Sequence, residues 1–255
     1  MASNHAWKIE IIPWDPASQE HVQRMHEQRV ACGWRADEVF QWAELARRGE
    51  KLFHWIVLSD EIPNRDKLLE QHFATHPNGK GHLRDTATHV WFVERQDRTE
   101  RRNREATGRY FIPIGHVALE IHTAEEDAKS GLPPDTIWVH QLFISSALQG
   151  GGYGVAAMAH VEAIAAREGK MWMALDTRAK DTQEKTADGA LDDVKRGDIV
   201  PVTSKEEWYA RQGYQTYKQG PGYTYQTADG ASIQLNVSYM KKRIGGRTSH
   251  DGGCS

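Results

Sequence analysis

Gln149-Gly150-Gly151-Gly152-Tyr153-Gly154 separates two patterned runs of the chain. Before it, Thr136-Ile-Trp-Val-His-Gln-Leu-Phe-Ile144 is rich in β-branched and aromatic residues and reads as a strand. After it, Val155 to Arg167 has the spacing of an amphipathic helix. Strand, glycine-rich turn and helix together suit an anion. Glycines let backbone N–H groups approach closely, and the unpaired N–H groups of a helix's first turn point outward with the positive end of its dipole.

On the N-terminal side of this stretch, Lys8 to Ile12 alternates as a strand, ended by Pro13-Trp-Asp-Pro16. Ala17–Cys32 and Ala36–Arg48 read as two helices, the second stopped by Gly49. Lys51–Ser59 is a strand, Asp66–Thr75 a short helix, and His76-Pro-Asn-Gly-Lys-Gly81 a loop. A strand over Thr86–Glu94 leads into a stretch, Glu94–Arg109, with six arginines against four acids, expected as a solvated or disordered hairpin tip. Ile112–His122 is a further strand, and Thr123–Asp135 a polar loop.

On the C-terminal side, Gly169 caps the helix and Met171–Thr177 is the next strand. Arg178 to about residue 203 is a polar insertion. Ser204-Lys-Glu-Glu207 is a capping box opening a short helix that Gly213 ends. Two last strands, about 214–226 and 232–242, are joined by Ala228-Asp-Gly230, a hairpin signal. This order predicts an α/β (mixed α+β) fold in one domain over residues 1–244, with insertions at 95–109 and 178–203 and a disordered tail at 245–255.

The net charge of −3 and a pI near 6.5 argue against nucleic acid or an anionic membrane as partner. The two cysteines, Cys32 and Cys254, make no disulfide framework. The first residues, Met-Ala-Ser-Asn-His-Ala-Trp7, lack the basic start and apolar core of a secretory signal. No apolar run approaches about 20 residues. A cytoplasmic protein is expected.

Two phosphate loops compete for the glycine stretch. Gly152-Tyr-Gly-Val-Ala-Ala157 satisfies Gly-x-Gly-x-x-Ala, and Asp176 on the next strand stands where a dinucleotide fold places its ribose contact. Against that, Ser145-Ser-Ala-Leu-Gln149 intervenes between strand and glycines, and no alternating strands and helices follow Asp176. The other pattern is Gln-x-x-Gly-x-Gly at Gln149, Gly152 and Gly154, followed by Tyr209-Ala-Arg-Gln-Gly213-Tyr214. It resembles the GNAT superfamily of N-acetyltransferases in two motifs at the family's separation, and in element order over about residues 7–242.

The resemblance implies a central, mostly antiparallel sheet of about seven strands, splayed between strands 4 and 5 and flanked by helices. It implies acetyl-coenzyme A as cosubstrate with no metal, and direct transfer to a primary amine. Gln149, Gly150, Gly151, Gly152, Tyr153 and Gly154 would hold the pyrophosphate. Leu142, Phe143 and Ile144 would line the pantetheine, with the Leu142 N–H on the thioester oxygen.

Tyr209 matches the family's general acid. His140, nine residues before Gln149, stands where arylalkylamine acetyltransferases carry a catalytic histidine, and strand alternation places it with Trp138, Leu142 and Ile144. It is equally readable as a hydrogen-bonded strand histidine. Glu120, His116 and His122 are weaker base candidates. Helices 17–32 and 36–48, with Glu27, Trp34, Arg35 and Trp42, correspond to the family's acceptor wall. The expected acceptor is a small-molecule amine (an arylalkylamine, polyamine or amino sugar), the chain acting as monomer or homodimer. A protein N-terminus or lysine, or a coenzyme-binding module without transfer, are the alternatives.

Overall fold

The computed structural model describes residues 8–95, 98–180, 204–226 and 232–245. Among them, eleven strands and six α-helices alternate along the chain. A seven-stranded sheet has the order β1(Ile9–Pro13)-β2(Lys51–Leu58)-β7(Pro113–Glu120)-β8(Thr136–Ile144)-β9(Trp172–Arg178)-β11(Ser232–Arg243)-β10(Gln215–Gln226). Antiparallel ladders join β1 to β2, β2 to β7, β9 to β11 and β11 to β10. β8 pairs with β9 in parallel over three residues, ending at Trp138–Ala174, while both strands run on. This mixed sheet is incompatible with the doubly wound parallel sheet that a dinucleotide loop requires.

The molecule divides into two compact units. The first contains the described residues through Ile121 and Val139–Val161; the second contains His122–Trp138 and the described residues from Glu162 onward.

In the first unit, α1(Gln19–Cys32) starts at Ser18, whose hydroxyl accepts from the His21 N–H, and ends at Gly33 in the left-handed conformation, φ +77°. α2(Val39–Arg48) follows a 3₁₀ turn at Ala36–Glu38 and stops at Gly49. Both helices bury their apolar stripes (Val22, Met25, Val39, Trp42) against Phe53, Trp55 and Ala118 of β2 and β7. Every residue of β2 is buried, as expected of a central strand. α3(Arg65–Thr75) leads into a 3₁₀ turn at Pro77–Lys80, where only a loop was expected.

The arginine-rich stretch forms the expected hairpin, and one of its arginines departs from the expectation. β4(His89–Arg95) and β5(Arg98–Asn103) pair as an antiparallel hairpin whose tip, 96–97, lies outside the described residues. Arg104 is not a solvated charge. It forks onto the buried Asp85 at 2.6 and 2.7 Å and donates to the Ala87 carbonyl at 2.8 Å. Burial works to raise the Asp85 pKa, yet Arg104 and Thr107 outweigh it and hold the carboxyl at about 2. Two-residue strands β3(Leu83–Arg84) and β6(Tyr110–Phe111) pair beside this anchor.

Two histidines of this unit are sealed away from water. Burial pushes both His54 and His72 down to about 4, and among the described residues neither ring nitrogen of His72 has a hydrogen-bond partner. Above pH 6.5 each ring is neutral folded or unfolded, so nothing is lost. As pH falls from 6.5 towards 4, the unfolded chain takes up protons that the fold refuses, and stability declines. Each histidine costs about 3 kcal/mol across that window. Asp85 contributes its stability in full above its unfolded value of 3.8 and loses it only below that, so it neither adds to nor offsets the loss in this window. Urea unfolding at pH 7 and pH 5 should therefore show a markedly lower midpoint at pH 5, and His72→Gln should flatten the difference. Equal midpoints for the native chain would show these rings to be hydrated.

In the second unit, Thr123 opens α4(Ala124–Lys129) with a reciprocal capping box to Glu126, where a polar loop was expected. α5(Tyr153–Arg167) and β8 each run through both units. α6(Lys205–Ala210) opens with the expected Ser204–Glu207 capping box. The insertion beyond Lys180, the Ala228-Asp-Gly230 hairpin signal and the tail after residue 245 lie outside the described residues.

Candidate active site

β8 ends at Ile144 and a 3₁₀ turn, Ser146–Leu148, leads to Gln149, whose amide group donates to the Ile144 carbonyl at 3.2 Å. Gly150 (φ +82°) and Gly152 (φ +81°) then take the left-handed conformation that non-glycine residues pay to adopt. A Cβ at Gly150 meets nothing within 4 Å, and one at Gly152 meets only the Lys8 Nζ at 3.6 Å. The loop is therefore open on the side where side chains are missing. Among the described residues, the N–H groups of Gly150, Gly152, Tyr153, Gly154 and Val155 donate to no backbone carbonyl. That is a cradle of main-chain donors at the N-terminus of a fifteen-residue helix.

Tyr153 serves this cradle through its N–H only. Its ring is 6 % exposed and tucked under Gly151, where an added Cβ would lie 2.3 Å from it. Burial pushes its phenol up.

Alternation fails within β8. Gln141 has φ +46°, a left-handed residue in mid-strand. On β7, His116 and Glu120 are four residues apart and share a face. His116 packs against the Phe143 ring at 5.4 Å, while the Glu120 carboxylate lies 3.9 Å from His140 Nε2. His140 and Phe143 thus share a face although three residues apart, which needs the extra residue of a bulge at Gln141. The expectation that His140 faces with Leu142 and Ile144 is corrected. A bulge re-aims the backbone of Leu142 and its neighbours.

Glu120 lies between His140 and Lys51. Lys51 is paired with Glu120 directly across the β2–β7 ladder and forms an ion pair with it. The ammonium is 5 % exposed and sits over the Trp42 and Phe53 rings, 5.7 and 5.8 Å from their centroids. Burial lowers the Lys51 pKa and Glu120 opposes that shift. Sequence reasoning missed Lys51, because a lysine at a strand start carries no sign of its cross-strand partner.

His116 belongs to the core. It is fully buried, its Nδ1 is 2.7 Å from Gln28 Oε1, and burial, with Arg29 adding, drives its pKa well below the usual range. Of the acceptor-wall residues, Trp42 is buried and hydrogen-bonds Glu38 at 3.2 Å. Glu27 pairs with Arg24, and Arg35 with Glu38.

In the second unit, His122 stacks on Trp138 at 4.9 Å, and the Trp138 indole donates to Asp127 at 3.1 Å. Tyr209 packs edge-on against Trp208 at 4.8 Å and Tyr214 at 5.8 Å. Burial, and then the Asp176 carboxylate, raises its phenol well above the ordinary value. At neutral pH Tyr209 therefore carries its proton and can donate it. Tyr214 anchors the motif: its hydroxyl donates to Glu162 at 2.9 Å, and Lys242 holds the other carboxylate oxygen at 2.6 Å. Gly213, φ +91°, makes the turn between them. Asp176, the ribose candidate of the dinucleotide reading, is accounted for as a neighbour of Tyr209.

An open amide cradle at a helix N-terminus, within a mixed sheet of seven strands, is what the GNAT resemblance implies. Residues 65–184 match the model of the acetyltransferase (GNAT) family. No curated protein matches the chain. Among solved structures, an acetyltransferase of the GNAT family from Desulfovibrio desulfuricans superposes with a TM-score of 0.50 at 9% identity, over 92% of this chain and 99% of that one. An aminoglycoside 6'-N-acetyltransferase from Enterococcus faecium gives 0.48 at 12% identity, covering 92% and 97%. The ribosomal-protein-S18-alanine N-acetyltransferase from Escherichia coli gives 0.44 at 11% identity, covering 95% and 97%. Among the described residues no helix is long and apolar enough to cross a membrane.

Proposed function

We propose that this protein transfers an acetyl group from acetyl-coenzyme A to the primary amine of a small molecule (an arylalkylamine, polyamine or amino sugar). The observation that carries the reading is the cradle at Gln149–Gly154, where two left-handed glycines leave main-chain donors uncovered at a helix N-terminus. The bound coenzyme supplies a thioester carbon that an amine can attack, so no covalent enzyme adduct is needed.

The residues of the chain supply the rest. The amides from Gly150 to Gly154 hold the pyrophosphate, and Gln149 braces the loop through the Ile144 carbonyl. Leu142, Phe143 and Ile144 follow the bulge and line the pantetheine, with the Leu142 N–H stabilising the charge that develops on the acyl oxygen. An alkylamine with a pKa near about 10 is about one part in a thousand neutral at pH 7, so it must lose a proton. His140 takes that proton, and the adjacent Glu120 stabilises the imidazolium that results. Tyr209 gives its proton to the departing thiolate.

The test is thiol release from acetyl-coenzyme A with a panel of amines. Turnover should appear with at least one small amine. Tyr209→Phe and His140→Ala should each lower kcat at least about tenfold, while coenzyme affinity stays within about twofold. Unchanged kcat in both variants overturns the catalytic assignments. Tight coenzyme binding with no turnover on any amine points instead to a binding module, and turnover confined to peptides points to a protein acceptor.

A further inference from the structure

The proposed pyrophosphate loop has a shortage of charge. Gln149 to Gly154 contains no basic side chain, so the loop offers only main-chain dipoles to a doubly charged pyrophosphate. The first position of its motif is Gln, where the family also uses Arg. A cation reaches the loop from elsewhere in the chain. Lys8 precedes β1, and its carbonyl accepts from the Ser59 N–H at 3.0 Å, which fixes its backbone to the end of the β1–β2 ladder. Its ammonium donates to the Gly151 carbonyl at 3.0 Å, 143 residues away in sequence. The same ammonium lies 3.6 Å from where a Gly152 Cβ would stand, on the side the glycines leave open. Among the described residues no carboxylate pairs with Lys8.

We propose that Lys8 is a coenzyme-binding residue that places a positive charge against the pyrophosphate held by the Gly150–Gly154 amides. The inference rests on the coenzyme reading above. A neutral carbonyl is a weaker acceptor than a phosphate oxygen, so the ammonium exchanges the Gly151 oxygen for the anion when the coenzyme arrives. The site is exposed, so the interaction is screened by salt. Lys8 thus contributes affinity and salt sensitivity, while the shape of the loop remains that of its glycines.

The experiment is calorimetric titration of coenzyme A, and separately of 3'-dephospho-coenzyme A, into native, Lys8→Ala and Lys8→Arg proteins at low and high salt. Lys8→Ala should weaken coenzyme A binding about three- to tenfold at low salt, and the deficit should shrink at about 1 M salt. Lys8→Arg should bind within about twofold of native, since it keeps the charge. The deficit should be the same for the dephospho form. Equal affinities of native and Lys8→Ala at low salt overturn the proposal, as does a deficit indifferent to salt. A deficit that disappears with the dephospho form assigns the charge to the 3'-phosphate and overturns the pyrophosphate placement. Failure of the folded native protein to bind either ligand strikes the coenzyme reading itself rather than Lys8.

Discussion

Gly152→Asp should weaken coenzyme A binding at least about a hundredfold, or about 2.7 kcal/mol, while leaving the fold nearly as stable as before. The position has φ +81°, so any side chain there is strained, but Asp tolerates this conformation at about 1 kcal/mol. Within the protein there is room, the nearest atom to an added Cβ being Lys8 Nζ at 3.6 Å. The damage falls on the ligand. A carboxylate would stand among the amides meant for the pyrophosphate, repel it, and attract the ammonium of Lys8. Gly152→Asn carries the same shape and strain without the charge and should lose much less. Titration calorimetry with both variants separates the effects. Equal losses for Asn and Asp would assign the effect to bulk, and native affinity in Gly152→Asp would remove the loop from the binding site.

Gly115→Ala should be among the most destabilising single changes available, costing at least about 3 kcal/mol. A Cβ on Gly115 would lie 2.1 Å from the Phe143 carbonyl oxygen and 3.2 Å from the Ile144 Cα. The obstacle is backbone, so no side-chain rotation relieves it. β8 must move away from β7 just where Ser145 donates to the Ile114 carbonyl at 2.8 Å. Gly220→Ala is the matched comparison: it also lies on a strand, a Cβ there meets nothing within 4 Å, and its effect should stay within about 0.5 kcal/mol. Urea unfolding of both variants decides the point. A loss below about 1 kcal/mol for Gly115→Ala would contradict the close approach of β7 and β8.

The elements were legible where local chemistry marks them. Glycines at 33, 49 and 213 end helices or make turns in the left-handed conformation, and Ser204-Lys-Glu-Glu207 caps a helix. The same signature at Thr123-Ala-Glu-Glu126 opens α4, yet the polar composition around it suggested a loop. The bulge at Gln141 carries no such mark, since glutamine has no preference for positive φ. Its consequence, which side chains His140 joins, therefore had to come from the structure.

Arg104 escaped the reading for a related reason. A charge run is ordinarily solvated, and nothing local shows that Asp85, nineteen residues before Arg104, is buried and waiting for a guanidinium fork. Lys51 and Lys8 were invisible because each acts across strand register or at a distance of many residues. Chemistry supplied by one segment is readable in a sequence. Chemistry assembled from several segments is not.

The amides of residues 150 to 155 offer the most direct measurement. Hydrogen exchange of the native protein, followed by mass spectrometry with and without saturating coenzyme A, reads whether an anion occupies the cradle. Peptides spanning these residues should exchange more slowly with coenzyme bound, and the slowing should vanish in Gly152→Asp. Unchanged exchange across 150–155 in a protein that demonstrably holds the coenzyme would place the ligand elsewhere and contradict the assignment of this loop.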